Sequence, residues 1–199
     1  MPESNRVPKA FKLRKADDLI GHILGQLGDL SPSSNDARNI VLATAKKALA
    51  DARSQSEQDL LEDGKGKRCA KNLCAAQDEI IKMAFKFASG YVFPVVNRSD
   101  AETLTIAAVG GYGRGTLAPG SDIDLLFILP YKQTPWGESV TEYVLYLLWD
   151  LGQKVGHAVR SIDECIRMAK ADMTVRTATL ESRQIIGDLA LYDELQQRF

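Results

Sequence analysis

The stretch VGGYGRGTLAPGSDIDLLFIL, from Val109 to Leu129, decides the fold of this chain. It starts at the end of an apolar strand, breaks at Gly110-Gly111, passes a second glycine-rich run and enters another apolar strand. Side chains two residues apart on a strand point to the same face, so Asp122 and Asp124 project together. Adjacent carboxylates repel each other, and a divalent cation between them removes the repulsion. The stretch therefore predicts a metal-binding pair of aspartates beside a glycine loop.

Composition excludes several classes of function. The chain has 199 residues, of which 45% are hydrophobic and 26% charged, as is ordinary for a soluble globular protein with a sizeable core. Its formal net charge of −1 gives no overall basic field for nucleic acid. No apolar run approaches the ~20 residues that a membrane span needs. We therefore expect neither nucleic acid nor a membrane as a partner.

The cysteines indicate the cellular location, and the histidines bear on whether a zinc site is expected. Cys69, Cys74 and Cys165 are an odd number without a pairing pattern, and the sequence shows no secretory signal. Together these features predict a reducing, cytoplasmic location. His22 and His157 lie far apart in sequence and next to no cysteine or acidic cluster, so a zinc site is not expected.

Apolar residues repeat at helical spacing through the first hundred residues. One stripe begins at Asp17, and two longer predicted helices cover about 36–61 and 68–92. Pro94 and the polar residues 97–100 end this pattern. We interpret residues 1–100 as a helical N-terminal region.

The period changes after residue 100. β-branched and apolar runs predict three strands, at Thr103–Val109, Asp122–Leu129 and Lys154–Arg160. The predicted helices are Glu138–Gly152, one opened by the capping box Ser161-Ile162-Asp163-Glu164, one from Asp172 through Ile186, and a last one ending at Phe199. This order predicts an α+β fold in which the helical region packs on a small mixed sheet within residues 101–199.

Three explanations compete for the glycine loop. A dinucleotide-binding fingerprint needs G-x-G-x-x-G opening a long helix, with an acid about 20 residues later, and Gly120 comes too late for it. A Walker loop needs Gly-Lys-Ser/Thr, which is absent. The remaining pattern is two glycines, about ten residues, and Asp-x-Asp among apolar neighbours. It resembles the polymerase-beta-like nucleotidyltransferase superfamily, in which the glycine turn cradles a triphosphate and the aspartates hold Mg²⁺.

The residue types suit that chemistry. Glycines let backbone N–H groups approach phosphate oxygens without a Cβ in the way. Arginine and serine side chains add donors for the phosphates, although Arg160 either reaches a phosphate or stays in solvent. The candidate nucleotide-binding residues are Gly110, Gly111, Gly113, Arg114, Ser121 and Arg160.

The resemblance extends to one family of the superfamily. The stretches GGYGRGTLAPGSDIDLL, YLLWDLGQKVGHAVRSIDEC and ADMTVRTATLESRQIIGD follow in order and span nearly all of residues 105–190. They resemble the bifunctional uridylyltransferase/uridylyl-removing enzymes of bacterial nitrogen signalling. The resemblance implies transfer of UMP from UTP to a tyrosine of the PII signal protein, with Mg²⁺ or Mn²⁺. It assigns Gly110 and Gly111 to the nucleotide and Asp122 and Asp124 to the metals.

Two departures from the family pattern stand out. The family continues into a histidine–aspartate hydrolase domain and paired ligand-sensing domains, so we expect this chain to be an N-terminal fragment without uridylyl-removing or glutamine-sensing activity. The superfamily also often places a third carboxylate on a later strand, whereas the matching stretch from Val155 to Arg160 holds no acid. Glu181 is the substitute candidate, unless it only pairs with Arg183 or Arg176.

Two other functions remain open from the sequence. One is adenylyl transfer to glutamine synthetase, a sister activity on a similar fold, although its enzymes tend to keep an acid followed by basic residues on the third strand. The other is a nucleotide-binding regulatory module without turnover, which the missing third acid and missing downstream domains favour.

Overall fold

Three long helices lead into the sheet. In the computed structural model, which describes residues 11–96 and 99–199, α1 spans Ala16–Leu27, α2 spans Asn35–Asp63 and α3 spans Gly66–Phe87. A π-helical turn, Ala88–Val92, extends α3. The three apolar stripes thus form helices as predicted, whereas residues 1–10 of the predicted helical region lie outside the described part of the chain.

Capping explains where these helices begin. The Ser34 side chain accepts a backbone hydrogen bond at the start of α2, and Gly64 ends that helix in the left-handed conformation, with φ of 67°. The first helix is capped from a distance instead, because the Ala16 N–H donates to Glu79 Oε2 of α3 at 2.8 Å. Glu79 is buried and also lies 3.0 Å from Lys82 Nζ. One buried carboxylate therefore fixes α1 to α3.

The remaining elements form a mixed sheet and its covering helices. A 3₁₀ turn, Asp100–Glu102, leads into the strands β1 Thr105–Ala108, β2 Ile123–Leu129, β3 Val155–Ser161 and β4 Arg183–Gly187. The helices are α4 Gly110–Gly113, α5 Pro135–Asp150, α6 Ile162–Ala171, α7 Met173–Leu180 and α8 Leu189–Arg198. The strand order is β3-β2-β1-β4, with β2 parallel to β3 and β1 antiparallel to both neighbours. The predicted α+β fold is confirmed.

Alternation along β2 gives the sheet two buried faces. Ile123 and Leu125 belong to a large core shared with α1, α2, α3 and α5. Leu126 and Ile128 belong to a smaller cluster shared with α6 and α8. Burial on both faces explains why this strand reads as an almost continuous apolar run. Asp124 lies two residues before Leu126, so it shares the face that α6 and α8 cover further along.

The large core also joins the two regions that the sequence separates. Leu19 of α1, Ile80 of α3 and Leu125 of β2 are all members of this one cluster. The helical region is therefore packed on the sheet, as predicted, and shares its core. The predicted division of the chain at residue 100 stays a prediction.

The fourth strand corrects one prediction. The helix expected from Asp172 through Ile186 ends at Leu180, and Arg183–Gly187 instead pairs antiparallel with β1. Asp172 does cap the helix, accepting the Thr174 N–H at 2.7 Å. The cause of the difference is tertiary, because β2 occupies only one edge of β1 and the other edge needs a partner. The short Ile185-Ile186 run suits a strand but cannot be told from helix by periodicity alone.

The state of the cysteines and the character of the helices both relate to the predicted cellular location. The three cysteines are free and buried, and burial raises the pKa of the Cys74 and Cys165 thiols to about 11. Of the helices within residues 11–96 and 99–199, none combines the length and the apolar character needed to cross a bilayer. The cytoplasmic location stays a prediction.

Replacing Glu79 with glutamine should destabilise the fold in a pH-dependent way. Burial alone would raise the pKa of this carboxyl, but the Ala16 N–H and the Lys82 ammonium lower it below its usual 4.5. A carboxylate with a lowered folded-state pKa stabilises the fold above the unfolded-state pKa and loses this contribution as the pH falls through the folded-state value. We expect Glu79→Gln to lower the free energy of unfolding by roughly 1–2 kcal/mol at pH 7, measured by urea denaturation.

The matched control is Glu57→Gln, at an exposed position of α2, which should change the free energy of unfolding by less than about 0.5 kcal/mol. The difference between wild type and Glu79→Gln should shrink as the pH falls below 4.5. A difference that is as large at pH 2 as at pH 7 would contradict the ionic origin of the effect.

Candidate active site

The end of β1, the glycine turn and the start of β2 meet at one point. The Val109 N–H donates to the Asp124 carbonyl at 3.0 Å. Gly110 then adopts a φ of 55°, in the left-handed region that favours glycine. A Cβ on Gly110 would lie 3.7 Å from Asp124 Oδ2, so the turn passes beside this carboxylate. The predicted glycine loop forms the single helical turn α4, closed by the Gly113 N–H on the Val109 carbonyl at 3.1 Å.

The two aspartates repel each other in the fold. Asp122 is exposed and directly precedes β2, whereas Asp124 is half-buried within it. Burial raises the pKa of the Asp124 carboxyl above its usual range, and the negative charge of Asp122 raises it further. A divalent cation would offset both effects, and one or two carboxylates together with substrate phosphates are a usual Mg²⁺ ligand set. The pair therefore fits such an ion.

Additional protein ligands for a metal are not gathered around this pair. Within the two described ranges, no group of three or more histidine, cysteine, aspartate or glutamate side chains is arranged to hold a metal ion. Oxygens from a substrate or water would therefore complete the coordination of an ion at Asp122 and Asp124. This is typical of Mg²⁺, which keeps several waters and binds phosphates readily.

An ion pair borders the glycine turn. Arg114 Nη1 donates to Glu181 Oε2 at 2.7 Å, and both side chains are partly exposed. A Cβ on Gly111 would lie 3.4 Å from Arg114 Nη2, so the guanidinium lies against the turn. The third-acid candidate is thus beside the turn, and its ion-pair partner is Arg114 rather than Arg183 or Arg176.

Gly113 is needed for packing. A Cβ at this position would lie 2.0 Å from the Glu181 carbonyl oxygen and 3.1 Å from the Ala108 carbonyl oxygen. The absent side chain therefore lets the connection between α7 and β4 lie directly on the turn, which places Glu181 at the site. A contact between Gly113 and a nucleotide stays a prediction.

The last two candidates are Ser121, next to Asp122 in the chain, and Arg160, further along the sheet. Ser121 is exposed, donates its N–H to the Ala118 carbonyl at 3.1 Å, and borders a cavity of about 610 Å³ between α2, α3 and the loop before β2. Arg160 pairs with Ile128, four residues along β2 from Asp124, so it lies roughly 13 Å along the sheet from the aspartates. The structure gathers the glycine turn, Arg114, Glu181 and the aspartates, and it leaves Arg160 apart.

A buried network that sequence reasoning missed holds the turn from the side of α3. Asp78 accepts the Tyr112 hydroxyl at 2.6 Å and both terminal nitrogens of Arg183, at 2.7 and 3.1 Å. The Arg183 guanidinium also lies 5.7 Å from the centre of the Tyr112 ring. Burial and then the charge of Asp78 raise the pKa of Tyr112 well above its usual 10, so the phenol keeps the proton that it donates.

One signal in the sequence could have pointed to this network. Asp78 lies four residues after Cys74 and three before Ile81, on the buried face of α3. A charged residue at such a position is rarely buried unless it is paired. The sequence does not say which of the chain's 25 basic residues is the partner, because Arg183 is distant in sequence and lies in the strand that was not predicted.

Comparison with known proteins gives the class. Residues 96–186 match the family model of the nucleotidyltransferase domain. The α+β fold and the aspartate pair beside a glycine turn agree with that match, so residues 96–186 are similar to the nucleotidyltransferase domain. Domains of this family generally use divalent metal ions.

Two curated relatives give a more specific comparison. The chain is 56% identical to the bifunctional uridylyltransferase/uridylyl-removing enzyme of Rhodopseudomonas palustris over 169 residues, 84% of this chain and 18% of that protein. It is 54% identical to the enzyme of the same name from Bradyrhizobium sp. over 162 residues, 81% of this chain and 17% of that protein. The resemblance inferred from the sequence is confirmed, and the chain spans less than a fifth of these curated relatives.

Removing Asp78 should destabilise the fold more than removing its tyrosine partner. Asp78→Ala leaves the half-buried Arg183 guanidinium without its counter-ion, which we expect to lower the free energy of unfolding by about 3 kcal/mol. Tyr112→Phe removes a single hydrogen bond and should lower it by about 1 kcal/mol. Chemical denaturation measures both, with Asp51→Ala at an exposed position of α2 as the control. A loss for Asp78→Ala no larger than the control's would refute this role.

Replacing Asp124 with asparagine should stabilise the metal-free fold. Because the folded-state pKa of Asp124 is raised, the native state favours the protonated carboxyl, and stability falls as the pH rises from the usual 3.8 through the folded-state value. Asparagine carries no charge to lose. In chelator at pH 7 the midpoint temperature of Asp124→Asn should exceed that of wild type by about 1–2 °C, measured by thermal denaturation, because solvent screens this partly exposed carboxyl, and the gap should close below pH 3.8. A variant less stable than wild type at pH 7 would contradict this.

Proposed function

We propose that this chain transfers UMP from UTP to a tyrosine hydroxyl of the PII signal protein, releasing pyrophosphate, in nitrogen regulation. The observation that carries the proposal is the Asp122–Asp124 pair beside Gly110 within a nucleotidyltransferase domain. The relatives, 54–56% identical over most of this chain, are named for uridylyl transfer. UTP as donor and PII tyrosine as acceptor follow from the family resemblance.

The glycine turn and its neighbours would bind the triphosphate. The backbone N–H groups of Gly110 and Gly111 approach phosphate oxygens without steric hindrance. Arg114 lies against this turn and donates a charge-assisted hydrogen bond to a phosphate, and the Ser121 hydroxyl donates another. Binding at these positions would place the α-phosphate near Asp122, which directly follows Ser121, and near Asp124.

The aspartates would hold Mg²⁺ or Mn²⁺. When bound, such an ion supplies charge neutralisation of the phosphates and a lowered pKa for the attacking hydroxyl. The acceptor oxygen forms a bond to the α-phosphorus of UTP, the bond from this phosphorus to pyrophosphate breaks, and the hydroxyl proton leaves. Glu181 is our candidate for the group that accepts this proton, because its carboxylate lies at the glycine turn beside Arg114.

The setting and the reverse reaction belong to the same proposal. We place the reaction in the cytoplasm, where PII and nucleotides meet, in agreement with three cysteines that are free thiols. Removal of UMP from PII is not expected from this chain. The transfer assay below checks this expectation when the loss of label from uridylylated PII is followed over time.

Neutralising either aspartate should abolish transfer. With purified PII, Mg²⁺ and UTP labelled at the α-phosphate, wild type should label PII, and the rate for Asp122→Asn or Asp124→Asn should fall at least about 100-fold, since even indirect changes at metal sites cost 10–100-fold. Asp29→Asn, at an exposed position between α1 and α2, is the matched control and should keep the wild-type rate.

The alternatives give different outcomes in the same assay. Label transferred from ATP but not from UTP, with glutamine synthetase as acceptor, would favour adenylyl transfer. Metal-dependent UTP binding by folded wild type, lost in Asp124→Asn but without label on PII or any other partner, would favour a regulatory module. Either result would overturn the proposal.

A further inference from the structure

Gly156 faces Asp124 across two neighbouring strands. The two residues are partners in the parallel pairing of β2 with β3. A Cβ on Gly156 would lie 2.4 Å from Asp124 Oδ1 and 3.6 Å from its Cγ, and the first distance is far inside van der Waals contact. The Asp124 carboxylate therefore occupies the space in which a side chain of β3 would stand.

Position 156 requires glycine because a side chain would not fit there, and not because of its backbone conformation. Gly156 is not among the glycines with positive φ in the described chain, so its backbone conformation is open to any residue. Its register is regular, with Val155 and His157 paired to Ile123 and Leu125 on either side. The steric constraint at this position is therefore the contact with Asp124.

A second glycine lies at the other carboxylate oxygen. A Cβ on Gly110 would stand 3.7 Å from Oδ2, whereas the Cβ position of Gly156 is beside Oδ1. The Asp124 backbone is fixed in turn by the Val109 N–H at 3.0 Å. The carboxylate thus extends between two glycines that present no side chain to it.

We propose that Gly156 is a positioning residue that lets the Asp124 carboxylate lean over β3 into the orientation in which it binds a divalent cation. The contact itself is independent of the reaction, and only the cation role rests on the function proposed above. β3 then contributes space where another protein could place a third acid. A side chain at position 156 displaces Asp124, and an added carboxylate there competes with it for the same volume.

A double-mutant cycle on stability tests the contact without any activity measurement. Gly156→Ala should lower the midpoint temperature by about 2–4 °C in the wild-type background, because the added Cβ displaces the movable end of one side chain at an exposed position of β3. In the Asp124→Ala background, which removes the carboxylate, the same substitution should change it by less than about 1 °C. The proposal would be overturned if Gly156→Ala lowered the midpoint temperature equally in both backgrounds or in neither. It would also be overturned if the substitution lowered the midpoint temperature only in the Asp124→Ala background.

Binding of Mn²⁺ tests the positioning role. Titration of the metal alone, followed by electron paramagnetic resonance of free Mn²⁺, should show at least tenfold weaker binding for Gly156→Ala and for Gly156→Asp than for wild type. Gly25→Ala is the matched control, because nothing lies within 4 Å of its added Cβ and its φ is not positive. Unchanged Mn²⁺ affinity in a folded Gly156→Ala, or tighter binding in Gly156→Asp, would refute it.

The two measurements separate this inference from the proposed function. If wild type binds Mn²⁺ and shows the expected cycle but does not label PII, the positioning role stands and the proposed substrates fail. If the cycle shows no coupling while wild type labels PII, the function stands and the role of Gly156 fails. Wild type that binds no Mn²⁺ refutes the cation role of Asp124, and with it this inference.

Discussion

The buried carboxylate of Asp78 is the contact on which the geometry of the site depends. It accepts hydrogen bonds from Tyr112 in the glycine turn and from Arg183 in β4, so one charge on α3 joins the helical region to two parts of the sheet region. A buried charge or hydroxyl without a partner is strongly unfavourable. Asp78, Tyr112 and Arg183 therefore hold one another in place. The position of the glycine turn thus depends on a contact with α3, which ends more than twenty residues earlier in the chain.

The surroundings of Asp124 differ from those of Asp78. Asp78 is compensated by an arginine, whereas Asp124 faces two glycines and the like charge of Asp122, and its pKa is raised by burial and by that charge. A carboxylate that a fold leaves without a counter-ion reduces stability, and such groups concentrate at functional sites. Asp78 thus has the surroundings of a structural acid, and the surroundings of Asp124 support the functional role that we propose for it. Residue type alone does not distinguish them.

The parts of this structure that sequence could predict are the local ones. Periodicity predicted three of the four strands in the described part of the chain, and the capping box at Ser161 and Glu164 forms as expected, because each depends on residues a few positions apart. The strand Arg183–Gly187 was assigned to a helix, since its pairing with β1 depends on an edge that only the folded sheet creates. The Asp78 network and the position of Gly156 opposite Asp124 were not predicted for the same reason. Both bring together residues that are far apart in sequence and meet only in the folded chain.

The two arginines near the glycine turn differ in their availability to a substrate. Arg183 is half-buried and forms two hydrogen bonds to a buried carboxylate, so releasing it would leave a charge without a partner. Arg114 pairs with Glu181 at the surface, where such a pair contributes only about 0–1 kcal/mol. A triphosphate, which carries more charge than one carboxylate and presents several oxygens, can therefore displace Glu181 from Arg114 at little cost. In the proposed reaction this exchange also frees the Glu181 carboxylate, so its ion pair with Arg114 is compatible with the proton-accepting role that we propose for this acid.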